Sequence, residues 1–177
     1  MNDQPIGTLL LYYFSDSWTS KLIALFRWTQ YTHALLKISD DEYIEMNFEG
    51  VRILKYDDLM RRSGCHNFFL PKFKVKSKHL KTMRNYIDKE KDNLKYDKWG
   101  FIGQFLRIIK VRKWMIANSE NKFFCSVFVC FLASIMENGI SKAKKKWHLA
   151  PDELSGSMFW HKKVVYTINN FSQYGKD

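Results

Sequence analysis

Cysteine is scarce in this chain. There are three in 177 residues, Cys65, Cys125 and Cys130, an odd number with no C-x-x-C pair and no histidine at zinc-finger spacing. That count and spacing argue against a disulfide framework and against a structural zinc site. Long hydrophobic runs are missing too: none approaches the roughly 20 residues that a membrane span requires. The start, Met1-Asn2-Asp3-Gln4-Pro5, lacks the basic segment of a secretory signal. The expected location is therefore cytoplasmic. Internal repeats, low-complexity stretches and linkers are absent as well, so residues 1–177 read as one domain, long enough to bury a core without covalent staples.

What is present suits a packed globule. Hydrophobic residues make up 46% of the chain and aromatics 16%, far from the composition of disordered proteins. Acidic residues are outnumbered, 18 against 29 Lys and Arg, for a net charge of +11. Much of the excess lies between Lys72 and Lys122. Such a balance favours an anionic partner, whether nucleic acid, a membrane surface or a polyanionic polymer. The lysines are nevertheless scattered along helical faces, as on an ordinary solvated surface.

The apolar pattern predicts a strand over Ile6–Phe14, a turn at Ser15-Asp16-Ser17, and a helix over Trp18–Trp28. Tyr31–Ile38, Tyr43–Phe48 and Val51–Tyr56 form an expected antiparallel meander, broken at Asp40-Asp41 and Glu49-Gly50. Asn67–Val75 reads as a further strand, which Pro71 would confine to an edge or a bulge. Ser77 is the expected cap of a helix with Leu80, Met83 and Ile87 inward and Lys81, Arg84, Asp88 and Lys91 mostly facing water. Trp99–Ile109 and Phe123–Met136 are two more helices, the latter apolar nearly all round and so expected in the core. A turn at Pro151-Asp152 and a strand over Val164–Ile168 complete an α+β reading.

One cysteine stands where chemistry is possible. In Phe123-Phe124-Cys125-Ser126 the thiol opens an apolar helix, where the unpaired N–H groups and the positive dipole end favour a thiolate and can hold an oxyanion. Cys130, about 140° further round the helix, should face the core. A thiolate needs a base, and among five histidines His33 has the best context. His66 adjoins Cys65 but points to the opposite face of an extended segment, His79 reads as solvated, and His148 and His161 have no recognisable setting. His33 enters a strand, and the next strand carries Glu45 on the face of Tyr43 and Asn47. Antiparallel pairing would let that carboxylate orient the imidazole. Each residue also has a bland reading: a buried inert cysteine and a solvent-facing glutamate.

The ordered set resembles the permuted papain-like hydrolases of the NlpC type, in particular their YiiX/YebB-like branch. The matching pieces are Gly7 before the first strand, His33, Glu45 with Gly50-Val51 after it, Tyr96-Asp97, Cys125-Ser126 opening a helix, and Pro151-Asp152-Glu153-Leu154. Together they span about Ile6 to Phe159. The chain departs from the family pattern at Thr8, where an Asp is common, and at Met46, where a small residue is. Both positions bear on the substrate groove more than on the triad.

The resemblance implies a circularly permuted papain-like fold: a small, curved antiparallel sheet of about five strands packed against the helix that bears the nucleophile. It implies a thiol hydrolase in which Cys125 attacks a carbonyl, His33 moves the proton and Glu45 orients His33. The N–H groups of Cys125 and Ser126, helped by the hydroxyl of Tyr96, would hold the oxyanion, with no cofactor and no metal. The substrate class is an amide or an ester: a peptide, a cell-wall peptide or a lipid acyl group. Two rivals stand beside it. One is a non-catalytic nucleic-acid binder, for which only weak, non-specific binding is expected because no nucleic-acid module is recognisable. The other is a degenerate hydrolase fold kept as a structural protein.

Overall fold

The computed structural model describes residues 4–14, 31–62, 64–97, 122–139, 154–155, 157–162 and 166–170. The expected helices Trp18–Trp28 and Trp99–Ile109, and the turn at Pro151-Asp152, lie outside the described residues. The elements in chain order are β1 (Leu9–Phe14), β2 (His33–Lys37), β3 (Glu42–Asn47), β4 (Gly50–Lys55), α1 (Tyr56–Met60), β5 (Gly64–Phe69), α2 (Ser77–Glu90), β6 (Lys95–Tyr96), β7 (Lys122–Phe123), α3 (Cys125–Asn138) and β8 (Tyr166–Asn170). The architecture is α+β. Six strands form one sheet in the order β4-β3-β2-β1-β5-β8, antiparallel at every pairing. That is one strand more than the sheet of about five implied by the resemblance, and it matches the six strand candidates of the sequence pattern in number.

The run Leu9-Leu10-Leu11-Tyr12 is apolar at successive positions because β1 is interior to the sheet and buried on both faces. Leu9 and Leu11 join Ala34, Leu36, Ile44 and Met46 in the core beneath α3, whereas Leu10 and Tyr12 join Leu35, Tyr43, Leu54 and Phe68 on the other face. The β3–β4 hairpin turns through Phe48-Glu49. There Asn47 Oδ1 accepts from the N–H of Glu49 at 2.9 Å and of Gly50 at 3.1 Å, the side-chain turn that asparagine favours. Gly50 sits at φ 124°, a conformation that glycine alone adopts cheaply.

α3 lies against β2 and β3 with α2 alongside it. It is buried at all but Val127, Glu137 and Asn138, as its all-round apolar sequence implied. It ends at Gly139, left-handed at φ 71°, whose N–H donates to the Ile135 carbonyl at 2.7 Å. His79 of α2 is not solvated as its lysine-rich setting suggested: its Nδ1 lies 3.2 Å from the Met136 carbonyl oxygen near the end of α3. Arg84 keeps its side chain 42% exposed while donating to the Ile38 carbonyl at 3.1 Å and to Glu42 at 3.3 Å. Ser77 is the first helical residue of α2 and the cap position falls on Lys76, with no side-chain cap bond.

Two other expectations change. β5 ends at Phe69 and lies between β1 and β8, so it is no edge strand, and Pro71 falls beyond it in a bridge to Trp160. The short helix α1 had no clear signature in the sequence. Trp160 itself is fully buried, and its indole N–H donates to the Gly7 carbonyl at 2.9 Å, tying the late chain to the entry of β1. Among the described residues no helix is long and apolar enough to cross a membrane.

Candidate active site

The β2–β3 ladder pairs Lys37 with Tyr43, Leu36 with Ile44 and Leu35 with Glu45, and stops there. His33 is two residues beyond Leu35, so it shares a face with Glu45 and stands diagonal to it, just past the last pair. The two side chains meet: His33 Nε2 is 2.8 Å from Glu45 Oε2. Antiparallel pairing of these strands was the condition set by the sequence, and the register meets it.

Cys125 arrives from the other side. α3 packs its apolar body on the Ala34 and Leu36 face, and its N-terminus reaches the end of the sheet where the ladder has stopped. There Cys125 is a close neighbour of the His33 ring, near enough for its charge and hydrogen bonding to act on the imidazole. The imidazole thus stands between a thiol and a carboxylate.

Phe124 occupies the cap position in an extended conformation, φ −81° and ψ 160°, with no side-chain cap bond. The first intrahelical bond is Phe128 N–H to the Phe124 carbonyl, 2.9 Å. The N–H groups of Cys125 and Ser126 belong to the first turn and have no acceptor within the helix. Tyr96 is delivered to the same place by a parallel pairing. Lys95 pairs with Lys122 and Tyr96 with Phe123, and the Asp97 N–H donates to the Phe123 carbonyl at 3.1 Å. Its ring packs on Phe124 and Phe48.

The electrostatics follow from burial and from neighbouring charges. Burial opposes a charge on His33, but the influence of Cys125, through charge and then hydrogen bonding, with the Glu45 hydrogen bond and Tyr12, outweighs burial and holds the imidazole well above its ordinary value. Burial pushes the Glu45 carboxyl up, yet the hydrogen bond and charge of His33, followed by Arg62 and Arg52, hold it below its ordinary value. Burial, then the charges of Cys125 and Asp97, push the Tyr96 phenol well above its ordinary range, so it remains a hydrogen-bond donor at any physiological pH. Cys130 is in the core, and burial alone pushes its thiol up.

Access is uneven. The His33 side chain is 17% exposed and that of Glu45 only 2%, while Cys125 is 5% exposed. Of the three the imidazole is the most exposed and the carboxylate the least.

All five residues singled out in the sequence, Cys125, His33, Glu45, Ser126 and Tyr96, therefore come to one end of the sheet. Two neighbours were not foreseen. Tyr12 of β1 is paired with His33 across the ladder and stands edge-on to its ring, centroids 5.5 Å apart. Arg62, after α1, donates from Nη1 to the Tyr12 hydroxyl at 3.1 Å and lies 3.6 Å from Glu45 Oε1. The β1–β2 register would have revealed Tyr12; nothing near Arg62 in the sequence points to the site. Of the basic segment, residues 98–121 lie outside the described residues, and Lys74, Lys76, Lys78, Lys81, Lys89, Lys91 and Lys95 are exposed, as on a solvated surface. No family model, no curated protein and no solved structure matches this chain.

Proposed function

We propose that the protein is a thiol hydrolase acting on an amide or ester carbonyl through an acyl-enzyme on Cys125, on a permuted papain-like fold. One observation carries the proposal: the His33 imidazole is bonded to the Glu45 carboxylate on the neighbouring strand and has Cys125, at the start of a helix, as its other close neighbour. A buried structural histidine needs neither a thiol nor a carboxylate in that order; a nucleophile and its base need both.

In the reaction, the Cys125 thiolate forms a C–S bond to the carbonyl carbon, and the carbonyl oxygen takes the electron pair. That oxyanion is held by the N–H groups of Cys125 and Ser126 and by the Tyr96 hydroxyl. His33 gives its proton to the leaving amine or alcohol as the C–N or C–O bond breaks. A water then attacks the thioester, His33 takes its proton, and the acid leaves while Cys125 regains its thiolate. Glu45 fixes the ring orientation and stabilises the imidazolium throughout.

Acyl transfer is tested with activated acyl esters and short peptidyl amides, following intact mass. The expected result is an adduct equal to the acyl group on Cys125, and turnover that falls on the order of a thousandfold or more in Cys125→Ala. Equal adduct and turnover in Cys125→Ala would refute the assignment.

A further inference from the structure

Behind the carboxylate lies a second layer of the site. Arg62 is the one described cation whose head group reaches both Glu45, at 3.6 Å from Oε1, and the Tyr12 hydroxyl, at 3.1 Å. Glu45 thus has one oxygen on His33 and the other towards Arg62. Tyr12 in turn packs edge-on against the His33 ring. Arg62 therefore acts on the imidazole by two routes, through the carboxylate that bonds it and through the ring that packs it.

We infer that Arg62 is a positioning residue of the thiol site, supplying the fourth charge of a Cys125, His33, Glu45 and Arg62 cluster and locking Glu45 and Tyr12 around His33. The inference rests on the thiol–imidazole reading above. When that ion pair is formed, Cys125 and Glu45 bear two negative charges and His33 one positive, so Arg62 brings the buried group to neutrality. Without it, loss of the thiol proton leaves net negative charge in a poorly solvated site, which is costly.

The other groups around Glu45 do not replace Arg62. Arg52 of β4 stands directly across from Glu45 in the ladder, but its side chain is 45% exposed with Nη1 3.9 Å from Glu49, whereas the Arg62 side chain is 20% exposed. His66 of β5 stacks on Tyr12 at 5.3 Å. Tyr12 itself is kept a neutral phenol by burial, and Tyr96 beside Asp97 addresses the thiol from the β6 side. Arg62 is thus the sheltered cation on the far side of the carboxylate.

The test is the pH profile of Cys125 alkylation by iodoacetamide in the full chain, for wild type, Arg62→Met, Arg62→Lys, Tyr12→Phe and Arg52→Met. Arg62→Met is expected to move the rising limb up by roughly half a pH unit or more, about threefold in rate at a fixed pH on that limb. Arg62→Lys restores most of it. Tyr12→Phe, which keeps the ring and removes only the hydroxyl that anchors Arg62, moves the limb less and in the same direction. Arg52→Met moves it least. A uniform loss of rate at all pH values, an unmoved limb in both Arg62→Met and Tyr12→Phe, or a larger shift in Arg52→Met than in Arg62→Met would overturn the inference. Those outcomes differ from failure of the hydrolase reading, in which the wild-type profile itself would not respond to His33→Ala.

Discussion

The two faces of β2 and β3 are made by the same strands and have opposite characters. Towards α3 stand Ala34, Leu36, Ile44 and Met46, all fully buried and all apolar. On the other face stand His33, Leu35, Lys37, Tyr43 and Glu45, where hydrocarbon alternates with charge. Lys37 is 1% exposed and its Nζ donates to the Gln4 carbonyl at 2.7 Å. Apolar burial is non-directional and tolerant of detail; a buried charge is stable only with its partners at hydrogen-bond distance. The first face holds the fold together. The second holds one geometry in place, at a desolvation cost that a purely structural sheet would avoid.

That contrast breaks most visibly from the apolar side. Phe128 is fully buried in α3 and packs on Phe123, so Phe128→Ala should lower unfolding free energy by about 4 kcal/mol through lost burial and a residual cavity. Urea denaturation near neutral pH measures it, and the loss should be nearly independent of pH.

The polar side should give a smaller and pH-dependent effect. Glu45→Gln keeps the shape and removes the charge that His33 and Arg62 face, at a cost of about 2 kcal/mol. The folded Glu45 carboxyl lies below its ordinary value of 4.5. Its stabilisation is therefore complete above that pH and is lost as pH falls through the folded value. The stability gap between wild type and Glu45→Gln should be widest between pH 4.5 and the ordinary His33 value of 6.5, narrowing in acid as Glu45 is protonated and narrowing again as pH rises through the raised His33 value. A gap that stays the same in acid would mean the carboxylate charge contributes nothing.

The same contrast explains which parts of the molecule the sequence exposed. Period-two alternation around Tyr43, Glu45 and Asn47 carried the shared face of His33 and Glu45, and unbroken apolarity carried the burial of α3. Both are signals of near neighbours along the chain. Arg62 and Tyr12 come to the site through β1–β2 register and the exit of α1, which no local pattern encodes. His79 misled for a similar reason. Its lysine-rich helix reads as solvated, yet the ring reaches a carbonyl near the end of another element, Met136. Pro71 suggested an edge strand only because the end of β5 at Phe69 was not visible in composition.

The pairing of thiol and imidazole is tested most directly by mass-spectrometric mapping of iodoacetamide labelling over time, in wild type and in His33→Ala. The account predicts that Cys125 labels first near neutral pH, that Cys130 stays protected in the core, and that His33→Ala slows Cys125 labelling and shifts its pH profile upward. Faster labelling of Cys65, or a Cys125 rate that is the same with and without His33, would contradict it.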